Sequence, residues 1–217
     1  MLQPIVMQFL RDLAGNNNRE WFNQNKDYYM QAKIAFDELV DAQIAEISNF
    51  DPAVKGLAAK DCTFRIYRDT RFSHDKTPYK IHFGAYMAEN GRKSEKAGYY
   101  FHVEPEASLI AGGIHCPQRN VLTAVRQKVY DDQQQFFELI EKIEFKNFFQ
   151  KMEGKRLKTA PKGFDRNWPH IDWLKFQSYD FVHPLSDESL TAKDLLPQTI
   201  LKFKALYPVN QFFNQVF

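Results

Sequence analysis

Apolar residues recur at helical spacing toward both ends of the chain and at every second position in the middle third. Ile5, Phe9, Leu10 and Leu13 share one face of a helix over residues 4–14, with Gly15 as a stop. Asn16, Asn17 and Asn18 form a polar break. Asn18 suits the cap of the next helical turn, whose anchors are Trp21 and Phe22. Over residues 26–47, Tyr29, Ile34, Phe36, Leu39, Val40, Ile44 and Ile47 trace a long amphipathic helix that Asp51 and Pro52 end.

The period then changes to two. Phe64 and Ile66, then Ile81, Phe83, Ala85 and Met87, then Phe101 and Val103 alternate as half-buried strands do. Asn90-Gly91 and Pro105 to Ala107 fall in connections, which predicts an antiparallel meander. Leu109 to Ile114 predicts a fourth strand, bent by Gly112 and Gly113. Helical spacing returns after Pro117, at Val121, Leu122, Val125 and Val129 and again from Phe136 to Ile140. A basic, irregular stretch covers residues 151–165. Beyond it the pattern predicts a turn at Ile171 to Leu174, a strand at Tyr179 to Val182, and separate helices over 194–206 and 210–216. The reading is one α+β domain over residues 1–217: a central antiparallel sheet of about four or more strands, flanked by N-terminal and C-terminal helices packed on one sheet face.

Composition fits a packed core, with 44% hydrophobic and 26% charged residues, and argues against disorder. The chain has 20 Phe against 9 Gly, so the core should be strongly aromatic, with room for one exposed apolar patch. Cys62 and Cys116 are far apart and form neither a zinc knuckle nor a disulfide framework, which suits a reducing compartment. No apolar run approaches the roughly 18 residues of a membrane span, and no leader is visible, so a cytoplasmic protein is expected. The sequence sets no oligomeric state.

A net charge of +2 is too mild to mark a nucleic-acid protein, but the charge is clustered. In FRIYRDTRFSHDKTPYKIHF, Phe64 to Phe83, the cations Arg65, Arg68, Arg71, Lys76 and Lys80 face only Asp69 and Asp75. One reading makes Arg65, Arg68, Asp69, Arg71, Asp75, Lys76, Tyr79 and Lys80 the lining of a site for a phosphate or carboxylate. It requires Thr70 to Thr77 to turn so that Arg68 and Arg71 converge. The other reading is an internally paired loop whose arginine stems cover apolar surface.

Strand alternation supplies a second constellation. If Phe64, Ile66, Phe83, Met87, Phe101 and Val103 face the helices, then Arg65, Tyr67, His82, Tyr86, Tyr100, His102 and Glu104 face the other way. His82, His102 and Glu104 are the catalytic candidates, as general acid-base groups. A two-His, one-carboxylate metal site is the weaker alternative, because no tight ligand spacing links them in sequence. No cofactor and no stoichiometric zinc or iron is therefore expected. Cys116 follows His115 directly, and neighbours on a strand point to opposite faces, which argues against a thiol nucleophile. A third stretch, residues 146–175, is rich in Lys and Arg among Phe164, Trp168, Trp173 and Phe176, which fits either nucleic-acid stacking or a basic loop with rings plugging the core.

RDTRFSHDKTPYK resembles the signature of the bacterial and fungal domain-of-unknown-function 2461 family. Asn16 to Phe22, NNNREWF, and Pro161 to Asp165, PKGFD, are similar to that family's other landmarks, so the likeness spans nearly the whole chain. It implies a shared fold and surface and brings no reaction with it. The functional expectation is binding, with turnover in view, of a small anionic ligand at the basic segment beside the polar sheet face. The alternatives are a nucleic-acid accessory protein using residues 65–82 and 146–175, and a protein-interaction scaffold.

Overall fold

The computed structural model describes residues 1–150 and 152–217, and all but the side chain of Glu153 among them. Lys151 and that side chain, both part of the third basic stretch, lie outside the described residues. Helices α1 (Pro4–Gly15), α2 (Arg19–Gln24), α3 (Lys26–Ile47) and the single turn α4 (Ala59–Cys62) precede the sheet. Strands β1 (Phe83–Met87), β2 (Gly98–Val103) and β3 (Leu109–Ile114) form the predicted meander. Then come α5 (Arg119–Asp131), α6 (Gln133–Glu141), α7 (Ile143–Lys146), the short β4 (Met152–Glu153), α8 (Ile171–Leu174), β5 (Tyr179–Pro184), α9 (Asp187–Thr191) and α10 (Leu195–Asn214). The sheet is antiparallel throughout, in the order β1-β2-β3-β5-β4.

The α+β fold read from the periodicity is the one observed, with a central antiparallel sheet between N-terminal and C-terminal helices. Phe83, Ala85, Met87, Tyr99, Phe101, Val103 and Ile110 share one sheet face by register and are buried. Phe36 of α3 stacks on Phe83 and Phe101, with centroids 5.3 and 6.0 Å apart, and Phe9 of α1 stacks on Phe83 at 6.1 Å. Each such ring, fully buried, contributes about 1.5–3 kcal/mol of transfer free energy, and the aligned rings hold the sheet flat against the helices. Among the described residues no helix is long and apolar enough to cross a membrane.

Two local expectations are corrected. The C-terminal helix is not divided: α10 runs through Pro208. Proline frees one carbonyl of the preceding turn, but Phe203, Leu206, Val209, Phe212 and Phe213 are buried on both sides of it, so packing outweighs the lost bond. The segment from Phe64 to Ile66 is not a strand with both residues on the core face. It makes one bridge, Thr63 to Ala85, then leaves β1 and forms a second, Tyr67 to Tyr79. The alternation breaks between the two bridges. Ile66 is buried, but Phe64 sits on the opposite side of the sheet, 37% exposed.

Candidate functional site

With α3 and α10 on one face of the sheet, the residues that alternate with the core point away from them. Tyr86 of β1, Tyr100 and His102 of β2, Leu109 and Ala111 of β3, and Asp180 and Val182 of β5 floor a cleft of about 730 Å³. Phe64, Lys80 and His82 form one wall and the turn carrying Arg92, Ser94, Glu95 and Lys96 another. A cleft of this size suits a small molecule.

Two of the catalytic candidates, His82 and His102, line the cleft, and Glu104 stands against both. Gly84 pairs with His102, so His82, two residues before Gly84, stands across from Glu104, two residues beyond His102. Glu104 Oε2 lies 2.9 Å from His102 Nε2 and 3.8 Å from His82 Nδ1. The imidazole centroids are 4.4 Å apart. The other nitrogen of His102, Nδ1, hydrogen-bonds the Tyr100 hydroxyl at 2.9 Å. Glu104 is held from behind: its backbone N–H donates to Ser108 Oγ at 2.9 Å, and that hydroxyl donates to the Glu104 carbonyl at 2.7 Å. Burial, with His102 and Lys80 adding, lowers the His82 pKa to about 4, so its ring is neutral at pH 7. Burial and Glu104 push the Tyr100 phenol up to about 12. Arg65 and Tyr67, placed on this face by alternation, are not among the residues lining the cleft. Tyr67 packs instead against Phe22 and Tyr79.

The basic segment is a hairpin whose neck is closed by the backbone bonds of Arg68 to Pro78 and of Lys80 to Ile66, at 2.9 and 2.8 Å. Its arginines are engaged separately. Arg68 pairs with Asp75 and Thr77, while Arg71 forks onto Asp69 through Nε at 2.9 Å and Nη2 at 2.6 Å. The Thr77 backbone N–H, then Arg68 and the Thr77 hydroxyl, hold the Asp75 carboxyl at about 2. Lys76 donates to the Thr70 carbonyl, and Tyr79 is buried against Phe22. Arg68 and Tyr79 border a smaller recess of about 300 Å³ with Arg19 and Asn23. Of the basic-segment candidates only Lys80 lines the cleft. Its ammonium lies over the Phe64 ring, 5.6 Å from the centroid, and burial followed by Arg65 lowers its pKa. Among the described side chains no carboxylate comes within salt-bridge distance of it.

The rings of the third basic stretch turn inward. Trp168 and Phe176 are buried, Phe164 packs on Tyr130 and Trp173 on Phe136. Phe72, at the hairpin tip, is the most exposed of the large apolar side chains described, at 95%.

One group escaped the sequence argument. Strand β3 ends at Ile114 and Cys116 adopts φ +44°, so the rule that neighbours point apart no longer applies to His115 and Cys116. Cys116 Sγ lies 3.4 Å from His115 Nε2, and His115 Nδ1 lies 2.9 Å from Asp180 Oδ2 at the cleft edge. That bond to Asp180 raises the His115 pKa. Cys62, by contrast, is buried, which with Asp61 pushes its thiol up to about 12. At neutral pH iodoacetamide is expected to modify Cys116 and spare Cys62, and His115→Ala to slow the modification several-fold. Equal rates in the two proteins, followed by peptide mass spectrometry, would show that the imidazole does not assist the thiol.

The chain thus has an α+β fold with one helix-covered sheet face and, on the other face, a ligand-sized cleft that includes His82, His102, Tyr86, Tyr100 and Lys80 in its lining. The profile of the family described as "Conserved hypothetical protein (DUF2461)" matches residues 5–212, and the chain belongs to that family. Neither a curated protein nor a solved structure matches the chain.

Proposed function

We propose that the protein binds a small anionic, phosphate- or carboxylate-bearing ligand in the sheet-face cleft. Lys80 anchors the anion, and any turnover runs through the electron-pair donors of His82, His102 and Glu104. The observation that carries this reading is the half-buried ammonium of Lys80 on the wall of the cleft, beside His82 and without a described carboxylate partner. Arg92 and Lys96 add positive charge to the rim, but the first is held by the Lys60 carbonyl and the second by Glu89. Arg68 and Arg71, each engaged by its own aspartate, serve the hairpin.

A thermal-shift screen of inorganic phosphate, nucleotides, sugar phosphates and dicarboxylates tests the proposal. An anion at a hundred times its Kd stabilises by about 2.7 kcal/mol, or roughly 5–10 °C for a chain of this length. Lys80→Gln is expected to abolish the shift and Arg71→Lys to retain it. If nothing shifts the wild type, or if Arg71→Lys loses the response while Lys80→Gln keeps it, the cleft is not the anion site.

A further inference from the structure

His82 immediately precedes β1, while His102 is the next-to-last residue of β2 and Glu104 the first residue beyond it. One ligand atom from each lies within 4.8 Å of the others. With metal–ligand bonds of about 2.0–2.2 Å, ligand atoms around a tetrahedral ion stand roughly 3.4 Å apart. The two separations to Glu104 Oε2, 2.9 and 3.8 Å, straddle that value. An ordinary hydrogen-bonded pair accounts for His102 with Glu104. It does not account for His82, whose Nδ1 is turned toward the same oxygen at a distance too long for a hydrogen bond.

The surroundings are arranged as those of a metal ligand are. His102 meets Tyr100 through the nitrogen that does not face Glu104. A ligating histidine needs such a partner to fix its tautomer and orient its ring. Space for that hydroxyl depends on Gly84, where a Cβ would come within 2.7 Å of Tyr100 Oη. Ser108 fixes the backbone that carries Glu104. His82 and His102 both line the open cleft.

We propose that His82, His102 and Glu104 hold a divalent transition-metal ion, one bond each, with its remaining positions facing the cleft. Two histidines and one carboxylate with open positions are a donor set that zinc and non-haem iron(II) accept. Binding moves the His102 proton: Nε2 gives up its hydrogen bond to Glu104 for the metal, and Nδ1–H then donates to Tyr100. The inference deepens the reading of the cleft, since such an ion is a Lewis acid beside Lys80 against which a phosphate or carboxylate oxygen would bind. It can be tested with no anion present.

Chelator-stripped protein titrated with Zn²⁺ against a chromophoric competitor is expected to take up one equivalent. Co²⁺ in its place is expected to give the visible spectrum of a four- or five-coordinate ion. His82→Ala and Glu104→Gln should each lower the affinity at least about a hundredfold, and Tyr100→Phe, which keeps the ring and the fold, by roughly 10- to 100-fold. Cys116→Ser should bind as the wild type does. The inference is overturned if no saturable equivalent is bound, if Tyr100→Phe and His82→Ala bind as tightly as the wild type, or if Cys116→Ser loses the ion. Anion binding is measured separately, so zinc uptake without any anion response removes the Lys80 reading and leaves the metal site standing.

Discussion

Gly113→Ala is expected to destabilise the protein by at least about 3 kcal/mol, the largest loss from any single added methyl group in the sheet. Gly113 adopts φ +112°, a conformation that L side chains rarely take. Its Cβ would also stand 1.9 Å from the Tyr179 carbonyl oxygen, which is backbone of β5 and cannot turn aside. The strain of the dihedral therefore adds to the separation of β3 from β5 at the register Gly113–Asp180. Gly56→Ala isolates the first of these, because Gly56 has φ +85° with nothing within 4 Å of an added Cβ. Urea unfolding should show Gly56→Ala down by about 1 kcal/mol and Gly113→Ala by several times as much. Similar losses in the two would mean that β5 yields to the methyl group and that the close approach of the strands is not what fixes the glycine. Gly113 also lines the cleft, beside Asp180, so a folded remnant of Gly113→Ala should bind anions poorly.

The bulk of the fold is legible because two periodicities carry it. The apolar spacing of Tyr29 to Ile47 gives α3, and the period-two run through Phe83, Phe101 and Ile110 gives the core face of the sheet. Periodicity fails where local geometry departs from a regular element. The hairpin neck at Tyr67 and Tyr79 interrupts the alternation, so Phe64 moves from the expected core to the cleft wall. Pro208 reads as a boundary, yet the burial around it is decided by residues elsewhere in the chain.

The site was half legible. Alternation alone assigns His82, Tyr86, Tyr100, His102 and Glu104 to the face away from the helices, and the structure lines the cleft with four of them and places Glu104 against two. The proximity of the three donors is invisible in linear spacing, because the register of β1 against β2 creates it: once Gly84 meets His102, His82 and Glu104 must face one another. Sequence spacing is thus no guide to the proximity of donor groups that lie on neighbouring strands. The charge run illustrates a different limit. Five cations in one segment suggest a common target, but Asp69 and Asp75 are near enough in sequence to engage Arg71 and Arg68 individually, and of the five only Lys80 lines the cleft.

Asn17→Ala is expected to destabilise by about 2–3 kcal/mol and to weaken anion binding as well. The Asn17 side chain makes two bonds to one backbone unit: Nδ2 donates to the Tyr79 carbonyl at 2.9 Å, and Oδ1 accepts from the Tyr79 N–H at 3.1 Å. It thereby acts as a one-residue strand that pairs with the hairpin and ties the loop between α1 and α2 to it. Each bond is worth about 1 kcal/mol, and truncation also strands a polar group of Tyr79, which is only 4% exposed and stacked on Phe22 at 3.9 Å. Asn18 is the residue that capping rules favour, and its Oδ1 does accept from the Trp21 N–H at 2.9 Å. That cap is exposed, so Asn18→Ala should cost only about 1 kcal/mol. Asn17→Asp is expected to behave like Asn17→Ala, because its second oxygen would face the Tyr79 carbonyl where a donor is required. Lys80 and His82 lie one and three residues beyond Tyr79, so loosening the clamp frees a cation and an electron-pair donor of the cleft together. The NNNREWF and RDTRFSHDKTPYK segments are then parts of one device, in which the first holds the second in place behind the site. Urea unfolding of the variants, with thermal shifts in a stabilising anion, decides it. A loss below about 0.5 kcal/mol for Asn17→Ala, or a larger one for Asn18→Ala, would show that helix capping rather than the clamp fixes this corner of the molecule.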